Sequence, residues 1–166
     1  FRVMHWHEDI QFIYVLEGEI EVVTLESRTV LHQGDGFFIN KNVVHLVDKV
    51  DACHYNSFIF PDYFLRFYVG SPAEQIVSQI IGRKDFPIFP IKNTRENLPL
   101  LDTLRKLSSL EQKKTSLYPY EVLSTLSILW LEFCRAIRIS ENEVHKKNGQ
   151  ISNRMAIFLQ YIELHY

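Results

Sequence analysis

Hydrophobic and polar residues alternate with a period near two through the first sixty residues of the chain. In the run Glu19–Val22, Ile20 and Val22 face one way while the two glutamates face the other. Turn-forming residues divide this region into short runs rich in Val, Ile, Phe and Tyr. The strands predicted from these runs are Gln11–Leu16, Glu19–Leu25, Arg28–His32, Gly36–Ile39, Val43–Asp48 and Ala52–Phe60. Six short strands separated by turns are typical of an antiparallel sandwich or barrel.

The remainder of the chain changes to the spacing of a helix. Apolar residues recur every three or four positions in Pro72–Ile81, and the longer runs Leu98–Lys114 and Pro119–Ile139 show the same pattern. Pro119 suits the first turn of its helix. Between the first two of these runs, Phe86–Ile91 reads as an extended segment whose prolines place it at the edge of a sheet.

The last part of the chain predicts a linker followed by another helix. Residues 140–151 are mostly polar and charged. Ser152 then suits an N-cap, and one apolar stripe is formed by Met155, Phe158, Leu159 and Ile162. Because that stripe runs to the end of the sequence, the chain is expected to stop inside a further domain, and its first residue, Phe1, suggests that N-terminal residues are missing.

Composition and charge narrow the class of protein. Of the 166 residues, 46% are hydrophobic and 23% are charged, which is a globular composition. The net charge is −2, with four basic and nine acidic residues in the first sixty, so the β region is a poor surface for DNA. No run approaches the ~20 apolar residues of a membrane span. Two isolated cysteines, Cys53 and Cys134, favour a reduced, cytoplasmic protein.

Three histidines form the main candidate site. His5 and His7 point to the same face of an extended segment, because side chains alternate along a strand. Gln11 can return to that face on the following strand, and His45 lies near the start of a strand that can run beside them. Three imidazoles arranged in this way could bind a transition metal.

The order of these residues resembles the two sequence motifs of the cupins. The first motif corresponds to His5, His7, position 11 and Gly18, and the second runs from Gly34 to His45. Four positions depart from it: the pattern has Glu, Pro, Gly and Asn where this chain has Gln11, Asn40, Asn42 and Lys49. A glutamine brings neither a charge nor a base, so three hydrogen-bonded histidines that line a pocket are preferred to an occupied metal site.

The arrangement of the whole chain resembles the AraC-type (AraC/XylS) transcription regulators. Phe12–Gly18 is similar to a sensor strand of that family, and Ala156–Ile162 is similar to the first helix of its DNA-binding domain. The resemblance implies a fold that is mainly β plus α: a small cupin-like jelly-roll barrel, an antiparallel helix pair and the start of a third helix. The implied domains are a barrel at 1–92, a dimerisation segment at 93–139, a linker at 140–151 and a truncated helix-turn-helix domain at 152–166.

The resemblance implies an effector sensor rather than an enzyme, without a cofactor. A small polar metabolite, such as a sugar, is expected to bind in the barrel and to control DNA binding by a C-terminal domain that is not in this sequence. The residues expected to line this site are His5, His7, Gln11, Ile13, Val15 and His45, the two aliphatic ones as an apolar wall. If a metal is bound, its expected ligands are His5, His7, Gln11 and His45.

A homodimer is the second expectation. The helix at Pro119–Ile139 is apolar over more than one face, which indicates burial on two sides. The residues expected at the dimer interface are Leu101, Leu104, Leu107, Leu126, Leu129, Trp130 and Phe133.

Two other functions remain open. A metal-dependent cupin enzyme, such as a dioxygenase or a sugar isomerase, would use the three histidines with Gln11 as a fourth ligand. A cupin interaction module without a ligand would instead fill its barrel with aromatic side chains. The acidic run Glu17, Glu19 and Glu21 is interpreted as a solvated strand face, and Cys134 as a buried structural cysteine.

Overall fold

Seven strands form the β part of the fold in this computed structural model, which describes residues 3–50, 52–110, 112 and 114–138. The strands are β1 (Ile10–Glu17), β2 (Glu19–Thr24), β3 (Arg28–His32), β4 (Gly36–Ile39), β5 (His45–Lys49), β6 (His54–Phe60) and β7 (Ile88–Ile91). The six strands predicted for the first sixty residues are confirmed, with small shifts at their ends. The extended segment predicted at Phe86–Ile91 is β7, and it lies at a sheet edge as expected.

The strands build two antiparallel sheets. One sheet has the order β6-β1-β4-β7 and the other has the order β3-β2-β5. Alternate residues of these strands form one buried hydrophobic core, because side chains of period two place a whole face on one side of a sheet. This core consists of Ile13, Val15, Ile20, Val22, Leu31, Phe37 and Ile39. The predicted fold class, mainly β plus α with a jelly-roll-like β part followed by helices, is confirmed.

Three α-helices follow or interrupt the sheets. Helix α1 is Pro72–Ile81, α2 is Leu98–Leu110, and α3 covers residues 118–138. Ser71 caps α1 by accepting a hydrogen bond from the Glu74 backbone N–H at 3.3 Å, and Pro72 occupies the first turn. Short 3-10 helices lie at Asp62–Leu65 and Arg95–Asn97. In the described part of the chain, no helix is both long and apolar enough to cross a membrane.

Helix α2 packs directly on the four-stranded sheet at Gly36. A Cβ atom at this position would lie 3.0 Å from Leu104 Cδ1 and 3.2 Å from the Ile13 carbonyl oxygen, so glycine permits the close approach. Arg105 adds a polar contact, since its Nε donates to the Tyr14 hydroxyl of β1 at 3.2 Å. The strand that carries Gln11 is therefore linked to α2.

Asp35 fixes the connection between β7 and α2. Its buried carboxylate accepts from the backbone N–H of His32 at 3.1 Å and of Asn93 at 2.8 Å. Lys92 Nζ donates to the same carboxylate at 3.0 Å. Burial alone would raise the pKa of Asp35, but these hydrogen bonds outweigh it and hold the pKa below its ordinary value.

The chain divides into two compact units, Phe1–Trp130 and Leu131–Tyr166. Helix α2 belongs to the same unit as the sheets, and the domain boundaries expected from the sequence stay predictions. The linker predicted at 140–151 and the helix predicted at 152–166 lie outside the described residues.

Candidate functional site

Three imidazole rings meet at the edge of the three-stranded sheet. The backbone N–H groups of His5 and His45 each donate to the other's carbonyl at 2.9 Å, which aligns the two residues as an isolated antiparallel bridge. The ring centroid of His45 lies 4.5 Å from that of His5 and 5.2 Å from that of His7. The structure thus brings together the three histidines that the sequence selected, and we call them the histidine cluster.

Backbone carbonyls orient the rings of the histidine cluster. Nδ1 of His7 lies 2.8 Å from the Asp9 carbonyl oxygen, and Nδ1 of His45 lies 2.8 Å from that of Val43. Because a carbonyl oxygen only accepts, we assign the proton of each neutral ring to Nδ1. This tautomer leaves a lone pair on Nε2, the atom that a hydroxyl group or a metal ion can bind.

His45 Nε2 is the unusual atom of the cluster. His45 has no exposed surface, and its Nε2 has no hydrogen-bond partner among the residues that the structure describes. Burial lowers the pKa of this ring, and the charges of His5 and His7 lower it further, so the ring is held neutral. A buried polar atom without a partner costs about 1–3 kcal/mol. The lone pair of His45 Nε2 could therefore accept a hydrogen bond from a donor or bind a cation.

Gln11 lies against the histidine cluster from the neighbouring sheet. It is buried at 3% exposure, and its Oε1 lies 3.1 Å from His7 Nε2. The other end of its amide is 2.7 Å from Ser57 Oγ on β6. Reversing the amide would let its N–H donate to His7 while the Ser57 hydroxyl donates to its oxygen. Because His5 and Ser57 are exposed, the cluster is open to solvent on that side.

The imidazole nitrogens of the histidine cluster are donor atoms of a type that binds transition metals. The three potential ligand atoms of His5, His7 and His45 all lie within 4.8 Å of one another. A four-coordinate Zn²⁺ holds nitrogens at about 2.0–2.1 Å, which separates them by about 3.4 Å, so the rings would have to close on the ion. With Gln11 Oε1 as the fourth ligand, the donors would all be neutral.

Two residues predicted for the effector site are placed elsewhere. Ile13 and Val15 have no exposed surface, and both pack inside the hydrophobic core. Neighbouring side chains pack beside them, and the apolar wall expected from these two residues stays a prediction. The same core contains the aromatic ring of Phe37, and Tyr55 packs against it.

The residues predicted at the dimer interface also lie in the interior. Leu101, Leu104, Leu107, Leu126, Leu129, Trp130 and Phe133 are each exposed by 7% or less. Each is buried in the single chain, and their place at a dimer interface stays a prediction. The exposed apolar residues of α3 include Tyr120, Leu123 and Ile128.

Ser57 and the Val43 carbonyl are part of the site but were missed by sequence reasoning. The contact between Ser57 and Gln11 joins strands that are 46 residues apart, and no local spacing reveals that pairing. The Val43 carbonyl is a backbone group, which the sequence cannot mark. In the sequence, only the alternation of side chains along β6 could have indicated which face of the strand carries Ser57.

Comparisons with known proteins agree with this fold. Residues 2–53 match the family model described as the cupin domain. A relative named "Uncharacterized HTH-type transcriptional regulator YdeC", from Bacillus subtilis strain 168, is 28% identical over 167 residues. That match covers 98% of this chain and 56% of the relative, so the chain spans about half the length of the curated relative.

Solved structures of ToxT from Vibrio cholerae are among the structural matches, and one of them resembles this fold. An apo ToxT variant matches with a TM-score of 0.55 and 9% identity, covering 85% of this chain and 51% of ToxT. Wild-type ToxT bound to an unsaturated fatty acid matches with a TM-score of 0.42 and 12% identity, covering 88% and 50% respectively. At this identity, the apo structure supports the fold alone. The family model supports the resemblance to the cupins over residues 2–53, and the relative supports a relation to helix-turn-helix regulators.

Proposed function

We propose that this cupin-containing relative of helix-turn-helix regulators is the effector-sensing part of a cytoplasmic transcription regulator. The relation to YdeC over almost the whole chain supports this role, and it favours regulation over catalysis. DNA binding would belong to a C-terminal domain beyond this sequence. The other half of the relative's length leaves room for such a domain.

We propose the histidine cluster, together with Gln11, as the effector site. The buried lone pair of His45 Nε2 is the observation that carries this assignment, since a hydroxyl group of a ligand would supply the missing donor. Gln11 adds both a donor and an acceptor, and His5 is exposed to an entering molecule. This combination suits a small ligand with several hydroxyl groups, such as a sugar.

The contact between β1 and α2 offers a route for transmitting the effector's presence. Gln11 and Tyr14 lie on the same strand, and Tyr14 accepts the hydrogen bond from Arg105 of α2. An effector that favours one position of β1 would shift the population of α2 positions by its difference in affinity for the two states. The predicted linker at 140–151 would pass this shift to the DNA-binding domain.

A bound transition metal is the second candidate for the same site. The three imidazole ligands and the unpartnered His45 Nε2 support it as specifically as they support a hydroxyl group. A bound ion would supply Lewis acidity and positive charge, which a metal-dependent cupin enzyme would require. His5, His7 and His45 would hold it, with Gln11 as the fourth group.

Elemental analysis and thermal shift together test the effector site. With protein purified without metal resins or chelators, we expect stabilisation by a sugar and loss of that stabilisation in His45→Ala. The matched control is His54→Ala, which changes an exposed histidine outside the histidine cluster, at the first residue of β6. A stoichiometric metal that is lost in His45→Ala but retained in His54→Ala would replace the sugar proposal with the metal one. If neither a metal nor any sugar binds, the site assignment fails.

We also propose a homodimer formed through α3 rather than through the buried leucines. Tyr120, Ser124 and Ile128 are exposed and recur every four residues along one side of the helix, and the exposed Leu117 lies in the turn just before it. An exposed stripe that includes three apolar side chains suits a second copy of the same helix.

Ile128→Glu should convert this dimer into a monomer. A charge in the centre of an apolar helix interface is left without water or a partner, which strongly disfavours association. Sedimentation velocity on the full chain measures the result, and Val30→Glu, at another exposed apolar site, serves as the control. If the native chain sediments as a monomer at high micromolar concentration, or if both variants remain dimeric, α3 is not the interface.

A further inference from the structure

The histidine cluster turns hydrogen-bond acceptors toward one small region. The ring centroids of its members are 4.5, 5.2 and 6.1 Å apart, so the rings form a compact triangle. In His7 and His45 a backbone carbonyl holds the Nδ1 proton, which leaves the Nε2 lone pair for a ligand. In His5 the corresponding distance, from Nδ1 to the Val3 carbonyl oxygen, is 3.3 Å. A ligand in this triangle can therefore donate as many as three hydrogen bonds.

The number of donors separates the chemical groups that could enter the triangle. A hydroxyl group donates one hydrogen bond, a water molecule donates two, and a primary ammonium group donates three. A single hydroxyl group would satisfy His45 Nε2, the buried atom without a partner among the described residues, but no second ring. A primary ammonium group can donate to all three rings at once.

The spacing of the ligand atoms also suits an ammonium group. The three potential ligand atoms of the cluster all lie within 4.8 Å of one another. Around a tetrahedral nitrogen, acceptors at a hydrogen-bond distance of about 2.9 Å are separated by about 4.7 Å. Three nitrogens bound to Zn²⁺ are separated by only about 3.4 Å. An ammonium group therefore fits the full separation that the cluster allows, whereas a metal ion needs the rings to close.

Gln11 supplies a fourth acceptor in one of its two amide orientations. When its Nε2 donates to Ser57 Oγ at 2.7 Å, its Oε1 lies 3.1 Å from His7 Nε2. Two acceptor atoms this close repel each other, and a positively charged donor that contacts both removes the repulsion. The reversed amide, which donates to His7, suits the site before a ligand enters. Entry of a cation would thus be coupled to reversal of the Gln11 amide.

The charges and the exposure of this region favour a cation over an anion. The first sixty residues include nine acidic and four basic residues, and Glu8 and Asp9 directly follow His7 in the sequence. An acidic region attracts a positively charged ligand and repels a negatively charged one. His5 and Ser57 are exposed, so a bound cation keeps part of its hydration on that side. This contact with water lowers the cost of moving the charge into the site.

We propose that the histidine cluster binds the primary ammonium group of an effector that also carries hydroxyl groups, such as an amino sugar or an amino alcohol. This inference rests on the proposed effector site and names the group that the site selects. The ammonium donates to the three imidazole rings, and the hydroxyl groups lie on the open side beside Ser57. A sugar without an amine supplies fewer donors and no charge, so it binds more weakly.

Calorimetric titration of the metal-free full chain with three small probes tests the proposal, at about pH 8, where an ordinary imidazole is neutral. The first probe, 2-aminoethanol, has a primary ammonium and a hydroxyl group. Choline keeps the charge and the hydroxyl group but has no N–H donor, and ethylene glycol has hydroxyl groups without the charge. We expect 2-aminoethanol to bind at least about tenfold more tightly than either of the others.

Variants of the cluster locate the binding. His45→Ala should weaken the binding of 2-aminoethanol by at least about tenfold, whereas His54→Ala, outside the cluster, should leave it unchanged. His5→Ala removes an acceptor at the exposed side and should weaken binding by about three- to tenfold, so it keeps the test decisive if His45→Ala does not fold.

Three results would overturn the proposal: no binding of 2-aminoethanol, equal binding of choline, or unchanged binding in the variants of His5 and His45. A sugar without an amine serves to separate this failure from failure of the effector site. If glucose or arabinose binds in a way that depends on His45 while 2-aminoethanol does not bind, the ammonium proposal fails and the effector site stands. If neither the sugars nor 2-aminoethanol bind, both fail.

Discussion

A Gln11→Glu variant is expected to bind Zn²⁺ at least about tenfold more tightly than the native chain, a difference of about 1.4 kcal/mol. The native Gln11 Oε1 lies 3.1 Å from His7 Nε2, so a carboxylate oxygen at this position would face an ion held by the rings. Its negative charge would offset part of the ion's charge, which three neutral imidazoles and an amide cannot do. The Ser57 hydroxyl would remain to orient the new carboxylate.

Competition of the folded protein with a coloured chelator measures this gain. Gln33→Glu is the matched control, because it makes the same change of charge at an exposed position outside the histidine cluster. If the two variants bind Zn²⁺ equally, the gain comes from overall charge and residue 11 does not face the ion. If Gln11→Glu matches the native chain, the metal candidate loses its fourth ligand, and the hydroxyl-binding reading of the site is favoured.

The strands were predictable because two local signals agree. Alternation of period two selects the buried face, and turn residues mark the ends of each strand. Gly18 illustrates the second signal: its φ is +74°, and a Cβ there would lie 2.4 Å from the Ala52 carbonyl oxygen. A residue without a side chain is required there, so the glycine in the sequence marks a real constraint on the backbone.

The departures from the cupin pattern have structural reasons that the sequence did not reveal. Asn42 stands where that pattern has glycine, and it adopts the left-handed conformation with φ of 61°, which asparagine tolerates better than most residues. Asn40 stands where the pattern has proline, and its amide anchors the segment before β7. The Asn40 contacts join residues that are distant in the chain, and the Asn42 conformation is a backbone angle. The sequence shows neither directly.

Burial was predicted with less detail than secondary structure. The parity of β1 placed Gln11, Ile13 and Val15 on one face, which is correct. Parity does not show how far neighbouring elements fill that face, however, so the close packing around Ile13 and Val15 could not be predicted. The same limitation applies to α3, where apolar spacing identified the helix but not which of its sides faces its own chain and which faces solvent.

Asp35→Ala is expected to reduce the free energy of unfolding by about 2–4 kcal/mol. The substitution leaves the backbone N–H groups of His32 and Asn93 without their acceptor, in a place where the native carboxylate is almost fully buried. Lys92 contributes less, because its side chain is 47% exposed and water can solvate the released ammonium. The loss therefore comes mainly from the connection between β7 and α2.

Urea denaturation at a series of pH values separates this role from a simple packing defect. The folded pKa of Asp35 lies below that of the unfolded chain, about 3.9, so its contribution is complete above that value. The difference between the native chain and Asp35→Ala should hold from pH 7 to pH 5 and should shrink as the pH falls below about 4, since the unfolded chain then takes up a proton that folded Asp35 does not; the loss is complete once the pH has fallen through the folded pKa. Asp102→Ala, which breaks an exposed pair with Arg105, should lose much less stability. A difference that stays constant down to the acid limit would mean that the charge of Asp35 does not hold this connection, and that the carboxylate acts only by filling space.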